Sequence, residues 1–278
     1  MSERRVCGLL SMAVSSYRYR RRGSDEPLRS RVVELAREKP RYGYRRLHVL
    51  LGRRGERVNH KRLYRVYREA GLAIRRKKRK HCVRQGQPFR ARTAANQEWG
   101  LDFMHDAMAG GRAIRVLSVV DAFTRECLAL EVDTSFASRR VTRVLEEVAA
   151  ERGAPEAIRC DNGPELTSRH FLAWCMERQI ELRHIQPGKP VQNAQVESFH
   201  GRVREECLRV SWFENLFAAR RKIAAWRKEY NEERAHSSLG YRTPKEFATW
   251  MGAASDGLLP SSAATATATA TAEANDVV

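Results

Sequence analysis

The chain has 278 residues, a formal net charge of +19 and 31% charged side chains. That length allows one sizeable core with a smaller domain beside it, and no apolar run reaches the roughly 18 residues of a membrane span. The excess charge is concentrated: residues 1–96 hold 29 Lys and Arg against 7 Asp and Glu, whereas residues 97–278 hold 23 against 26. A basic front joined to a near-neutral body is the footprint of a polyanion binder; the plainer reading is a solvated, solubilising face. The six cysteines include no CxxC pair, and the eight histidines stand at no zinc spacing with them, so a reduced, cytoplasmic protein without disulfides or structural zinc is expected. Residues 1–22 end in Tyr-Arg-Tyr-Arg-Arg-Arg, which is not a secretory signal.

Taken in order, residues 1–25 read as an N-terminal basic arm, with a short helix and a turn at Ser15-Ser16. Residues 26–74 read as a small all-α helix-turn-helix domain. Leu28, Val32, Leu35 and Ala36 share one face of a first helix; Tyr44 to Arg53 and Asn59 to Glu69 form two more, with Gly71 as a C-cap. Leu47, Leu50, Leu51, Leu63, Val66 and Tyr67 supply the buried faces, and Lys61, Arg62, Arg65 and Arg68 an outward basic face suited to DNA. Two packed amphipathic helices without a DNA role would show the same apolar spacing. Residues 75–92 read as a basic linker opening with RRKKRK, in which Arg75, Arg76, Lys77 and Lys78 can meet phosphate without reading sequence.

From 93 to 252 the pattern is that of a catalytic core. WGLDFMHDAM, AIRVLSVVDAF and TRECLALEVD read as three antiparallel strands, the first two joined through Ala109-Gly110-Gly111. A helix from Ser138 to Arg152 follows, then a short strand EAIRCD, a helix from Glu165 to Gln179 and a fifth strand IELRHI. After a PGKP turn comes a helix from Gln192 to Leu208, then a long arginine-rich stretch from Trp212 to Ala235 packing through Leu216, Ile223, Trp226 and Tyr230. Three antiparallel strands and then alternating helices and strands is the order of an RNase H-like α/β core with a mixed five-stranded sheet. Residues 253–278, with ATATATATA, are expected to be disordered.

Three carboxylates stand out: Asp102 in the first strand, Asp161 ending the fourth, and Glu197 on the Gln192–Leu208 helix. Asn193, Glu197 and Arg204 lie roughly along one side of that helix, with Phe199, Val203 and Cys207 turned to the core. Phosphodiester chemistry needs an activated attacking oxygen, a stabilised leaving oxygen and screened phosphate charge. Two Mg²⁺ ions about 3.5–4 Å apart supply all three, and carboxylates are their preferred ligands; Mn²⁺ can substitute. The expected assignment is Asp102 bridging the ions, Asp161 holding one and Glu197 the other, with Asn162 and Gly163 making a tight turn that leaves Asp161 unobstructed. Arg204 and Arg202 are candidate DNA contacts, the alternative for Arg204 being a solvent-facing arginine. His200 reads as a surface histidine rather than a proton shuttle. Asp106 and Asp121 are rival carboxylates, Asp106 expected in a loop and Asp121 as a structural hydrogen-bond acceptor.

The segments WGLDFM, RVLSVVDAFTRECLALEVD, IRCDNGPE, QPGKPVQNAQVESFHGRVREECL and YNEERAHSSLGYRTPKEFA resemble the integrase-type transposases of bacterial insertion sequences. The likeness is strongest to the second-frame (OrfB) products of elements that encode two overlapping frames, and it spans about residues 26–249. It implies a retroviral-integrase-like DDE core with Asp102, Asp161 and Glu197 as the triad, and it puts the family's basic residue after the glutamate on Arg204. It further implies Mg²⁺-dependent nicking at terminal inverted repeats, attack of the freed 3′-hydroxyl on target DNA, and assembly on DNA as a homo-oligomer. Partnership or fusion with the first-frame product (OrfA) is implied too, since that frame usually carries the main end-binding helices and a zipper absent here. A bacterial cytoplasmic, nucleoid-associated protein is the corresponding expectation. Two rivals remain on the sequence: a ribonuclease H or junction nuclease of the same fold, and a non-catalytic DNA-binding regulator.

Overall fold

The computed structural model describes residues 2–18, 24–74, 92–186 and 193–255. The chain divides into two compact units, Met1–Arg79 and Lys80–Val278. Arg75, Arg76, Lys77, Lys78, the PGKP turn, Gln192 and the alanine-threonine tail lie outside the described residues.

The first unit is helical. α1 (Glu3–Leu9) and α2 (Val14–Tyr17) come first, so Ser15 and Ser16 sit in a helical turn and not in the expected break. The turn is closed by hydrogen bonds from the Tyr17 and Arg18 amides to the Ala13 and Val14 carbonyls. α3 (Glu26–Glu38), α4 (Tyr44–Arg53) and α5 (His60–Glu69) bury Val32, Leu35, Leu47, Leu51, Leu63 and Tyr67 in one cluster. Asn59 precedes α5 and accepts the Lys61 amide at 2.9 Å, so it is an N-cap and not the helix's first residue. Gly71 follows with φ +69°, a left-handed closure that suits glycine.

The second unit is built on a five-stranded mixed sheet in the order β3-β2-β1-β4-β5. β1 (Trp99–Ala107), β2 (Ala113–Asp121) and β3 (Cys127–Asp133) are antiparallel, and β4 (Ala157–Cys160) and β5 (Glu181–His184) run parallel to β1. Side chains alternate across a strand. Trp99, Leu101 and Phe103 therefore join α6 (Ser138–Arg152) and α7 (Arg169–Glu177) on one face. Met104, Val116 and Leu130 join α8 (Ala194–Glu206) and α9 (Leu216–Glu232) on the other. α10 (Pro244–Ser255) follows. Residues of even number in β1 (Gly100, Asp102 and Met104) thus share the face covered by α8.

Side-chain caps trim the expected helices. Ser168 accepts the Phe171 amide and starts α7 four residues later than periodicity alone indicates, leaving Glu165 in a turn where it pairs with Arg115. Asn215 accepts the Ala218 amide at 2.8 Å and starts α9 at Leu216. Asp106 is in β1, paired with Ile114, and not in a loop, because the antiparallel ladder continues to Ala107. Asp121 is the expected structural acceptor: buried, it takes the amides of Asn96, Phe123 and Thr124 at 2.8 Å each.

The far end of α8 is tied to the residues after α9. Arg234, with a side chain 2% exposed, gives a two-pronged ion pair to Glu206 at 2.6 and 2.8 Å. Removing one partner of such a buried pair strands the other charge. Glu206→Ala is expected to destabilise the core by about 3–5 kcal/mol, measured as a lower denaturant midpoint with an unchanged slope.

Candidate active site

Asp102 is the inner member of the site, with a side chain 19% exposed. Its Oδ1 accepts the Phe103 amide at 2.7 Å, and its Oδ2 accepts Asn193 Nδ2 at 3.2 Å. Burial, above all, raises its carboxyl from 3.8 to about 6; the Phe103 amide opposes this, the charges of Asp161 and Glu197 add to it, and Arg204 opposes it. Those last three effects place Asp161, Glu197 and Arg204 in one electrostatic neighbourhood with Asp102.

Topology explains the convergence. β4 lies beside β1 with Gly100 level with Arg159, and it ends at Cys160, so Asp161 is the first residue after the fourth strand rather than its last, on the chain segment that leaves the sheet next to β1. Asp161 Oδ1 accepts the Gly163 amide at 3.1 Å, so the turn engages one of its oxygens and does not leave it unobstructed. The compact Asp-x-Gly turn brings the amide to the oxygen, and a Cβ at Gly163 would meet that same atom. Glu197 is exposed in the first turn of α8, and Arg204, also exposed, stands two turns further along. Among the described residues, no group of three or more His, Cys, Asp or Glu is gathered tightly enough to hold a metal ion.

His200 corrects the sequence reading. It is 3% exposed, with Nε2 2.7 Å from Ser118 Oγ and Nδ1 3.6 Å from Asp102 Oδ2. Burial first, then Arg204, pushes it down to about 4, so it is a neutral imidazole at neutral pH. A polar residue three positions from a helix's functional carboxylate was indistinguishable by spacing from a solvent-facing one. Asn193, expected beside Glu197 on an outward face, is instead the buried residue before α8, because there it meets Asp102. Sequence reasoning also missed Ser118 and Gly100. A lone serine in an apolar strand and a lone glycine beside Trp99 and Leu101 were the available signals.

The basic residues fare differently. Lys61, Arg62, Arg65 and Arg68 are all exposed on α5 as expected, but Arg62 and Arg65 both pair with Asp25, at 2.8 and 2.6 Å. Arg202 folds back on its own helix, donating to the Ser198 carbonyl and hydroxyl at 2.7 Å.

Comparison with known proteins follows the same division. Integrase core domain families match residues 92–190 and 178–244, and an HTH-like domain family matches residues 24–80. A 31.7 kDa protein of insertion element IS407 from Burkholderia multivorans is 46% identical over 92% of this chain and 94% of its own length. The chain belongs to the insertion-sequence transposase family. Transposase InsD of insertion element IS2 in Escherichia coli is 28% identical over 82% of this transposase and 80% of its own length. A simian T-cell lymphotropic virus intasome, solved with a PP2A regulatory subunit, covers 72% of this chain and 70% of its own at TM-score 0.51 and 17% identity. That likeness bears out the integrase-type RNase H-like fold. No described helix is long and apolar enough to cross a membrane.

The raised Asp102 carboxyl has a stability consequence. The folded transposase holds this proton more tightly than the unfolded chain does, so stability is lost as pH rises from about 4 through about 6. An amide at 102 escapes that loss and can donate to Asn193 Oδ1, which is buried without a partner. In EDTA at pH 7.5, Asp102→Asn is expected to stabilise the fold by about 3 kcal/mol, with the gain vanishing below pH 4. Thermal or denaturant melts across that range measure it; a destabilised Asn variant at pH 7.5 contradicts it.

Proposed function

We propose that this transposase cleaves DNA strands at the terminal inverted repeats of an insertion sequence and joins the freed ends to target DNA, with Asp102, Asp161 and Glu197 as its catalytic carboxylates. The observation that carries the reading is that Asp161 directly follows the strand that pairs with β1, its charge and that of Glu197 act on Asp102, and the helix bearing Glu197 covers the face that carries Asp102. A ribonuclease of the same fold would not need the helix-turn-helix unit, and a regulator would not need two further carboxylates whose charges disfavour the ionised form of Asp102.

The donor chemistry suits a hard divalent cation, which would have to draw the three carboxylates closer together than they stand here. Asp102 sits where negative charge is crowded and poorly solvated, and Asn193 Oδ1 is a buried oxygen with no donor. Asp102, Asp161 and Glu197 would hold Mg²⁺, or Mn²⁺ in its place. Bound there, such ions lower the pKa of an attacking water or 3′-hydroxyl and screen the phosphate. The chain's own part is orientation and charge. Asp102 and Asp161 are each fixed by a backbone amide, at Phe103 and Gly163. Arg204 stands exposed along the same helix, where it can meet a phosphate oxygen.

DNA is gripped by residues of the first unit as well as by those near the site. Lys61 and Arg68 on α5 are available for phosphate or groove contact, and Arg62 and Arg65 can exchange Asp25 for phosphate. Arg75, Arg76, Lys77 and Lys78 extend the same basic stretch, and Arg202 can turn from Ser198 to a strand near the site. The domain division 1–25, 26–74, 75–92, 93–252 and 253–278 belongs to this reading. So do assembly as a homo-oligomer on DNA, cooperation with the first-frame product (OrfA) and location at the nucleoid.

The test is a duplex ending in the element's inverted repeat, incubated with the protein and Mg²⁺. Nicked ends and strand-transfer products are expected from the wild type, and none above background from Asp102→Asn, Asp161→Asn or Glu197→Gln, each of which should still bind the duplex. Full activity in Glu197→Gln, or cleavage confined to RNA–DNA hybrids, would overturn the proposal.

A further inference from the structure

α8 meets the sheet at three successive points on the face that carries Asp102. Val196 lies over Gly100, where even a Cβ would overlap Val196 Cγ2. Before it, Asn193 is 5% exposed and donates to Asp102 Oδ2 at 3.2 Å. Beyond it, His200 reaches both Ser118 Oγ and the neighbourhood of Asp102 Oδ2. Asn193 immediately precedes α8 and His200 lies about two turns along it, and both reach Asp102. Ser118 is the cross-strand neighbour of Asp102, and its hydroxyl donates to the Asp102 carbonyl at 3.1 Å.

Counting protons sharpens the picture. Ser118 spends its hydroxyl proton on the Asp102 carbonyl, and His200 Nε2 stands 2.7 Å from the same oxygen. Its Nδ1 faces Asp102 Oδ2 at 3.6 Å. Asn193 spends its Nδ2 on Asp102 and keeps a buried Oδ1 with no donor. A buried acceptor left unmatched costs about 1–3 kcal/mol, and an orphaned Asn193 oxygen beside this carboxylate is a poor arrangement for packing alone.

We propose that Asn193 and His200 are positioning residues for the proposed cation site. They hold the Asp102 carboxylate in one orientation from either end of a two-turn span and seat α8 on β1, so that Glu197 stands at a fixed height above Asp102. This rests on the three carboxylates being the cation ligands. Neither residue touches the reacting phosphate; each acts through Asp102 and through the seat of the helix.

The test uses the full-length protein and Mn²⁺ alone as the probe, titrated by calorimetry, with amide hydrogen exchange followed over residues 194–206. Asn193→Leu and His200→Leu are expected to bind Mn²⁺ about 10–100-fold more weakly and to exchange faster in α8 than elsewhere. His200→Gln, which restores a donor to Ser118, should recover most of the affinity. A folded Leu variant with wild-type Mn²⁺ affinity overturns the proposal. If the Leu variants do not fold, Ser118→Ala, which deletes only a hydroxyl, decides by the same titration: weaker binding supports the proposal and unchanged binding overturns it. If the wild type binds no Mn²⁺, the carboxylate reading itself fails. The seating of α8 is then judged by exchange alone, faster exchange in the Leu variants supporting it and unchanged exchange overturning it.

Discussion

The close approach of one helix to one strand is the constraint on which the site depends. α8 comes near enough to β1 that a methyl group at Gly100 has no room beside Val196. Because strand side chains alternate, the residue two positions on, Asp102, must point at the same helix. A carboxylate aimed at a packed helix is buried, and a buried carboxylate needs partners. Asn193 supplies one side-chain donor and the Phe103 amide supplies the other bond. The same approach brings Glu197 into the electrostatic neighbourhood of Asp102.

The neighbourhood so made is unfavourable on its own terms. Asp102 is pushed towards the neutral acid by its burial, with the charges of Asp161 and Glu197 adding to the effect. Asn193 Oδ1, on the residue that donates to it, is buried without a donor. Stability is recovered elsewhere, in the two apolar clusters on either face of the sheet and in the Arg234–Glu206 pair that ties down the far end of α8. Functional sites commonly carry such local deficits against a well-packed scaffold. Here the deficit is one of missing positive charge and missing donors, which is the kind a divalent cation and its waters remove.

Much of this was legible in the chain. The alternation of apolar residues in WGLDFM and AIRVLSVV put the strands in place, and the change to a period near 3.6 after Ser138 marked the switch to helices and crossovers. The order of Asp102, Asp161 and Glu197 along strand, strand and helix followed from those periods. Boundaries were less readable, because Ser168, Asn59 and Asn215 end or begin helices through single side-chain hydrogen bonds that periodicity does not register. Burial of polar residues was least readable. His200 sits on α8 and Asn193 just before it, in a stretch where Glu197, Ser198, Arg204 and Glu205 face solvent. Only the tertiary partners Ser118 and Asp102 distinguish them. The pairing of Arg62 and Arg65 with Asp25 was hidden for the same reason, since the partner lies about 40 positions away.

The account's central claim is that Asp102, Asp161 and Glu197 act as one cation-holding group. Anomalous diffraction from crystals of the protein grown with DNA and Mn²⁺ tests it most directly. The account predicts Mn²⁺ peaks within about 2.0–2.3 Å of oxygens from all three carboxylates, with Asp102 contributing to each ion. Strong peaks on other side chains, with these three left bare, would contradict it.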